Sequence, residues 1–208
     1  MKNTDTHTAT LECWFEFASN YSYLTVMRID ALAAEYGVAV VWKPFLLGPV
    51  FKSFGWNNSP FVLQKEKGAY VWQDMTRQCK KYRLPWTRPT DFPRASLLPM
   101  RVALVGAEQP WMSEYCQRIM HINFVEDRPI DHADAVNEVL TSLNLPASDI
   151  LLAAQSEENK HRLRLQTEQA HQRGIFGAPT FFVGTDMFWG NDRLEDALIF
   201  AAQSKHQT

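Results

Sequence analysis

Apolar runs of strand type occur near the two ends of this chain, and a long block of helical pattern, residues 60–172, separates them. The first pair is LECWFEF at 11–17 and VAVVW at 38–42; the second is FFV at 181–183 and MFW at 187–189. Short runs rich in β-branched and aromatic residues and bounded by turn residues read as strands. Between the first two, Leu24, Met27, Ile29, Leu32 and Ala33 fall at roughly helical spacing over 21–36, and Gly37 follows as a C-terminal glycine should. Strand, helix, strand is the unit that makes a parallel pair. A chain that starts a sheet, leaves it for helices and then returns builds that sheet from both of its ends.

Inside the block, residues 65–82, 97–126, 133–145 and 148–173 read as helices set apart by Pro and Gly turns. The return begins with Ala178-Pro179-Thr180, turns through Gly184-Thr185-Asp186 between the two late strands, and closes with a helix from about Asp192. The expected architecture is α/β, with a sheet domain made of 1–59 and 173–208 and a helical insertion domain over 60–172. The chain's 208 residues suffice for one core, or for one domain carrying an insert.

Charge and composition exclude several classes of function. Lys and Arg number 21 against 23 Asp and Glu, a formal charge of −2, so no global field attracts nucleic acid or anionic membranes. No apolar run approaches the roughly 18 residues that span a bilayer, and the polar start MKNTDTHTAT lacks an export pattern. The expectation is a soluble, cytoplasmic protein. Cys13, Cys79 and Cys116 are scattered without a CxxC, which argues against a disulfide framework, and Cys79 and Cys116 read as packing thiols. No HExxH is present, and a metal cluster would need His121 and His132 to meet in space, so no metal is expected.

The stretch EFASNYSY, residues 16–23, sits where the first strand hands over to the first helix. In thioredoxin-like proteins this corner carries two cysteines separated by two residues; here Ser19 and Ser22 stand in those places. By itself Ser19 reads as a helix N-cap, with Ser22 and Tyr23 as first-turn capping and packing residues. SNYSYL at this corner, KPFLLGPVFKSFGWNNSP after the second strand, GIFGAPTFFVG at the return and MFWGNDRLEDAL at the end come in one order. In that order they resemble the 2-hydroxychromene-2-carboxylate isomerase family, which is related to the kappa-class glutathione transferases and to DsbA-like thioredoxin-fold proteins. Asn20 departs from the proline usual in that family.

The resemblance implies a glutathione site in which the Ser19 hydroxyl hydrogen-bonds to the cofactor's sulfur. A hydroxyl donor and a helix N-terminus both favour thiolate over thiol. It implies further that Ala178 and Pro179 form a cis-proline loop facing the cysteinyl part of glutathione, although an X-Pro bond taken alone is more often trans. Asn191 and Asp192 would hold the γ-glutamyl end, while Asp192 and Glu195 also have the spacing of a capping box. Asn57 and Asn58 both fit a position near the thiol, Asn57 being preferred. Lys52 is a candidate for the carboxylate of an aromatic substrate, and Trp56, with Phe45, Phe51 and Phe54, for the pocket wall. The acidic residues of FVED, 124–127, and of DHADAVNE, 131–138, read as solvated or capping charges. The implied activity is glutathione-dependent isomerisation in a homodimer. The alternatives are a kappa-type transferase or peroxidase, and a DsbA-like oxidoreductase or binding module.

Overall fold

The structure is a computed structural model describing residues 8–204. The outermost residues of the expected sheet domain, 1–7 and 205–208, lie outside that range, as does most of the polar N-terminal start. Strand β1 (Ala9–Phe15) leads into α1 (Asn20–Val26) and α2 (Ile29–Tyr36), then into β2 (Val38–Pro44). Two short helices follow, α3 (Leu47–Ser53) and α4 (Pro60–Leu63). The longer ones come next: α5 (Lys65–Tyr82), α6 (Leu97–Val105), α7 (Met112–Phe124), α8 (Ala133–Ser142), α9 (Ala147–Ala154) and α10 (Glu157–Gln172). The chain returns through β3 (Thr180–Val183) and β4 (Asp186–Trp189), makes a single 3-10 turn over Asn191–Arg193 and ends in α11 (Leu194–Ser204).

The sheet order is β2-β1-β3-β4, with β1 parallel to β2, as the strand-helix-strand unit requires, and antiparallel to β3. Both ends of the chain therefore build one sheet, with β1 and β3 at its centre. Alternation along β1 explains why both faces are covered. Leu11, Cys13 and Phe15 point into one buried cluster, whereas Trp14 points into the other, edge-on to Phe45 and Phe182 at ring separations of 6.1 and 6.5 Å. The larger cluster runs without a break from β1 into the helical block, taking in Met75, Met100, Ile119 and Val136.

Three elements differ from the sequence expectation. The helix expected over 21–36 is two helices, because the backbone at Arg28 turns to φ −128° and its N–H donates to the Thr25 carbonyl at 3.0 Å, one residue short of the α-helical partner. The segment 148–173 also divides, at Ser156, whose hydroxyl accepts from the Asn159 N–H at 3.1 Å and starts α10 as an N-cap. The segment 97–126 divides as well, into α6 and α7 on either side of residues 106–111.

Candidate active site

Ser19 leaves β1 through a tight turn, its N–H donating to the Glu16 carbonyl at 3.1 Å, and its extended backbone (φ −85°, ψ 116°) makes it the N-cap of α1. The hydroxyl accepts from the Ser22 N–H at 3.2 Å, so the capping role is real. That hydroxyl also donates to the Ala178 carbonyl at 2.8 Å. The Ala178-Pro179 bond is cis, as the resemblance implies. A second cis bond, Phe92-Pro93, was not legible in the sequence. The loop around Pro179 is held from both sides: Thr180 Oγ1 donates to the Gly177 carbonyl at 2.9 Å, and the Gly190 N–H donates to the Pro179 carbonyl at 3.0 Å. Gly190 stands at φ 107°, a conformation that residues with a side chain rarely adopt, and a Cβ there would also push the Asp192 carboxylate aside from 2.6 Å.

These groups line one cavity of about 1210 Å³. Of the residues assigned to the site from the sequence, Ser19, Ala178, Asn191, Asp192, Lys52, Trp56, Asn57 and Asn58 line it, whereas Pro179 does not. The two asparagines are not equivalent. Asn58 Oδ1 accepts from the Ser59 N–H at 2.7 Å and so shapes the loop, whereas no hydrogen bond occupies the Asn57 side chain among the described residues. Of the candidate aromatic wall, Phe51 and Trp56 line the cavity, their ring centres 5.8 Å apart and their planes tilted by 45°. Phe45 is instead buried beneath β1, and Phe54 faces solvent. The expected capping box is absent, since Gly190 is the N-cap of the 3-10 turn and no side chain bonds it. Asn191 is committed elsewhere: its Oδ1 accepts from Arg28 Nη2 at 2.8 Å and Thr25 Oγ1 at 3.4 Å.

A known family model, described as a DSBA-like thioredoxin domain, matches residues 10–198 of this chain. The chain belongs to this family. It is similar to a 2-hydroxychromene-2-carboxylate isomerase of Sphingobium xenophagum, 29% identical over 193 residues that cover 90% of this chain and 95% of the relative. A glutathione S-transferase kappa 2 of Caenorhabditis elegans is 25% identical over 206 residues, covering 91% and 90%. Among solved structures, a 2-hydroxychromene-2-carboxylate isomerase superposes with a TM-score of 0.82 at 26% identity, covering 96% of this chain and 99% of that one. The DSBA-like thioredoxin fold with its helical insertion is thereby established, and the relatives are enzymes.

Within this DSBA-like site several residues do work that the sequence did not announce. Glu16 is buried at the cavity floor, its carboxylate accepting from the Leu47 N–H at 2.7 Å and the Ser96 hydroxyl at 2.9 Å. Burial pushes its pKa up to about 7, and the two hydrogen bonds only partly oppose that. A charged residue ending an apolar central strand was the available signal. Tyr21 lines the wall and donates to Asp74 of α5 at 2.8 Å. Arg94, also lining the cavity, is buried and pairs with Asp127, which in addition accepts from the Thr90 N–H at 2.9 Å. Asp127 was expected to be a solvated or capping charge; it is instead the counter-ion of a buried guanidinium.

Asn20, in the place of the family's usual proline, is fully buried, and neither atom of its amide has a partner among the described residues. Tyr23 packs as expected, its ring against Phe124 and its hydroxyl on the Pro85 carbonyl. The three cysteines are buried and free, and burial raises each thiol's pKa, that of Cys79 to about 12. As thiols they are unreactive packing groups. The helix that Ser19 caps has seven residues, not the longer span expected. Among the described residues no group of three or more His, Cys, Asp or Glu could hold a metal ion, and no helix is long and apolar enough to cross a membrane.

Proposed function

We propose that this protein is a glutathione-dependent isomerase acting on 2-hydroxychromene-2-carboxylate or a similar conjugated aryl carboxylate. The observation that carries this reading is the Ser19 hydroxyl, hydrogen-bonded to the Ala178 carbonyl at the edge of a cavity that also holds Lys52 and Trp56. At about 1210 Å³ the cavity exceeds the roughly 300–1,000 Å³ of a site for one drug-sized ligand, which suits a tripeptide together with a second molecule. The isomerase and kappa-transferase relatives support both halves of the assignment.

The donor set fits glutathione. Ser19 supplies a hydroxyl donor, Ala178 a carbonyl and an N–H on an exposed loop edge, and Asn191 and Asp192 a donor and an acceptor for an amino-acid end. When bound, glutathione would supply a thiolate for reversible addition to the conjugated substrate, so that the ring opens, the bond thus made single rotates, and elimination returns the thiolate unchanged. Ser19 turns its proton from the Ala178 carbonyl toward the sulfur and holds that sulfur ionised. Lys52 pairs with the substrate carboxylate, Trp56 and Phe51 flank its ring, and Asn57 donates near the reacting atoms. A serine serves better here than a cysteine, because it donates a proton without forming a mixed disulfide with the bound thiol.

Calorimetry with glutathione and a progress curve on the chromene carboxylate test the reading. The expected result is millimolar or tighter binding, with isomer interconversion and no net consumption of glutathione. A folded protein that ignores glutathione at millimolar concentration would sink it. The similarity to a kappa transferase favours a second reading, conjugation or peroxide reduction, in which glutathione is consumed. Thiol exchange at this corner is disfavoured, since neither Ser19 nor Ser22 carries sulfur.

A further inference from the structure

We propose that Arg28 is a positioning residue that locks the Asn191 amide with its NH2 group turned into the cavity, so that this corner receives the carboxylate of an α-amino-acid head group. The inference rests on the glutathione reading and adds to it a residue outside the cavity.

Arg28 stands where α1 breaks from α2, and its guanidinium ties four elements together. Nε donates to the Leu24 carbonyl of α1 at 3.0 Å, and Nη2 donates to Asn191 Oδ1 at 2.8 Å. The group lies 3.5 Å from the ring centre of Tyr82 on α5, and Nη1 is 3.7 Å from Glu195 of α11. Its side chain is only 12% exposed. A guanidinium has donors and no acceptor. Whatever part of Asn191 faces it must therefore be the amide oxygen, and the second donor on that oxygen, Thr25 Oγ1, makes the same demand. Rotating the amide by half a turn would set N–H against N–H in a buried place and leave donors unpaired.

The oxygen being fixed, the nitrogen is fixed with it. Asn191 Nδ2 has no hydrogen-bond partner among the described residues, while the residue itself is 6% exposed and lines the cavity. Nδ2 is not among the sealed unpaired polar atoms, so its two donors open onto the cavity and offer themselves to an acceptor in a ligand there. The next residue, Asp192, lines the same cavity with a largely exposed carboxylate, and it offers only acceptors. Adjacent donor and acceptor side chains are complementary to a zwitterion in one orientation: carboxylate on Asn191, ammonium on Asp192. Arg28 sets that polarity, and it adds positive charge behind the donor.

The test compares calorimetric binding of glutathione with that of cysteinylglycine, which keeps the thiol but lacks the γ-glutamyl head. The unaltered protein should prefer glutathione. Arg28→Met should lower glutathione affinity about 10- to 100-fold, the range of one hydrogen bond to a charged group, and leave cysteinylglycine affinity unchanged. Asn191→Asp, which can pair with Arg28 and so keeps the fold, should show the same selective loss because it presents acceptors where a donor is needed. In an Asn191→Ala background Arg28→Met should change glutathione affinity by less than about twofold, since the two act through one contact. Equal weakening of both thiols by Arg28→Met, or an Asn191→Asp variant that still prefers glutathione, overturns the assignment alone. An unaltered protein that binds neither thiol overturns the glutathione reading and this assignment together.

Discussion

The Ser19 hydroxyl and the Ala178 carbonyl, 159 residues apart in sequence, are joined by a 2.8 Å hydrogen bond, and the same hydroxyl accepts from the Ser22 N–H at 3.2 Å. A hydroxyl has one proton. Under the proposed function, donation to a bound sulfur releases the Ala178 carbonyl to accept from the ligand, while the bond to Ser22 keeps the oxygen in place throughout.

Ser19→Ala removes both interactions. Turnover should fall roughly 10²- to 10³-fold, as when one stabilising donor is lost, and the fold should lose about 1 kcal/mol with the cap. Steady-state kinetics and urea denaturation measure the two effects separately. A turnover equal to that of the unaltered protein would leave Ser19 with its capping role alone.

Asn57 and Asn58 should separate. Asn57→Ala should reduce kcat/KM about tenfold, the worth of one hydrogen bond in a water-poor site, with no change in melting temperature. Asn58→Ala breaks the bond to the Ser59 N–H and should act mainly on the loop, lowering thermal stability more than it lowers rate. The reverse pattern would exchange their roles.

Lys52→Met should raise KM for carboxylate substrates roughly tenfold while leaving kcat near its original value, because an ion pair kept in both ground and transition states affects binding alone. A neutral methyl ester of the same substrate should not respond to the substitution. An equal response from the ester would show that Lys52 supports the wall and does not read the charge.

Glu16 makes stability depend on pH. Burial raises its pKa from the ordinary 4.5 to about 7, so between those values the folded protein keeps a proton that the unfolded chain has lost. The contribution is fully present below about pH 4.5 and disappears as pH rises through about 7, on the order of a few kcal/mol across the interval. Glu16→Gln should flatten that part of the curve in urea midpoints recorded from pH 4.5 to 8. An unchanged slope would mean that the carboxylate is ionised throughout.

The fold was legible because strand and helix periodicities differ and because β1, β2 and β3 are short, apolar and bounded by turn residues. The site was legible wherever a residue's position relative to a strand end determines its place, as with Ser19 and Ala178. Residues whose role depends on approach from a distant segment were not. Glu16 was read past, though its carboxylate joins the start of α3 to Ser96. Arg28 looked like one polar position in a continuous helix, and nothing in its neighbours' spacing announces Tyr82, Asn191 and Glu195 around it. Asp127 resembled any surface acid until a buried guanidinium was found against it. Local pattern fixes local geometry, whereas pairing across the sheet and the helical block is set by packing, which no window of sequence contains.

Building the centre of the sheet from opposite ends of the chain also has a consequence for biosynthesis. A ribosome releases β1 and Ser19 first, and the Ala178 carbonyl beside β3 only 159 residues later. A nascent or truncated chain that stops short of that point therefore lacks the Ala178 side of the pocket.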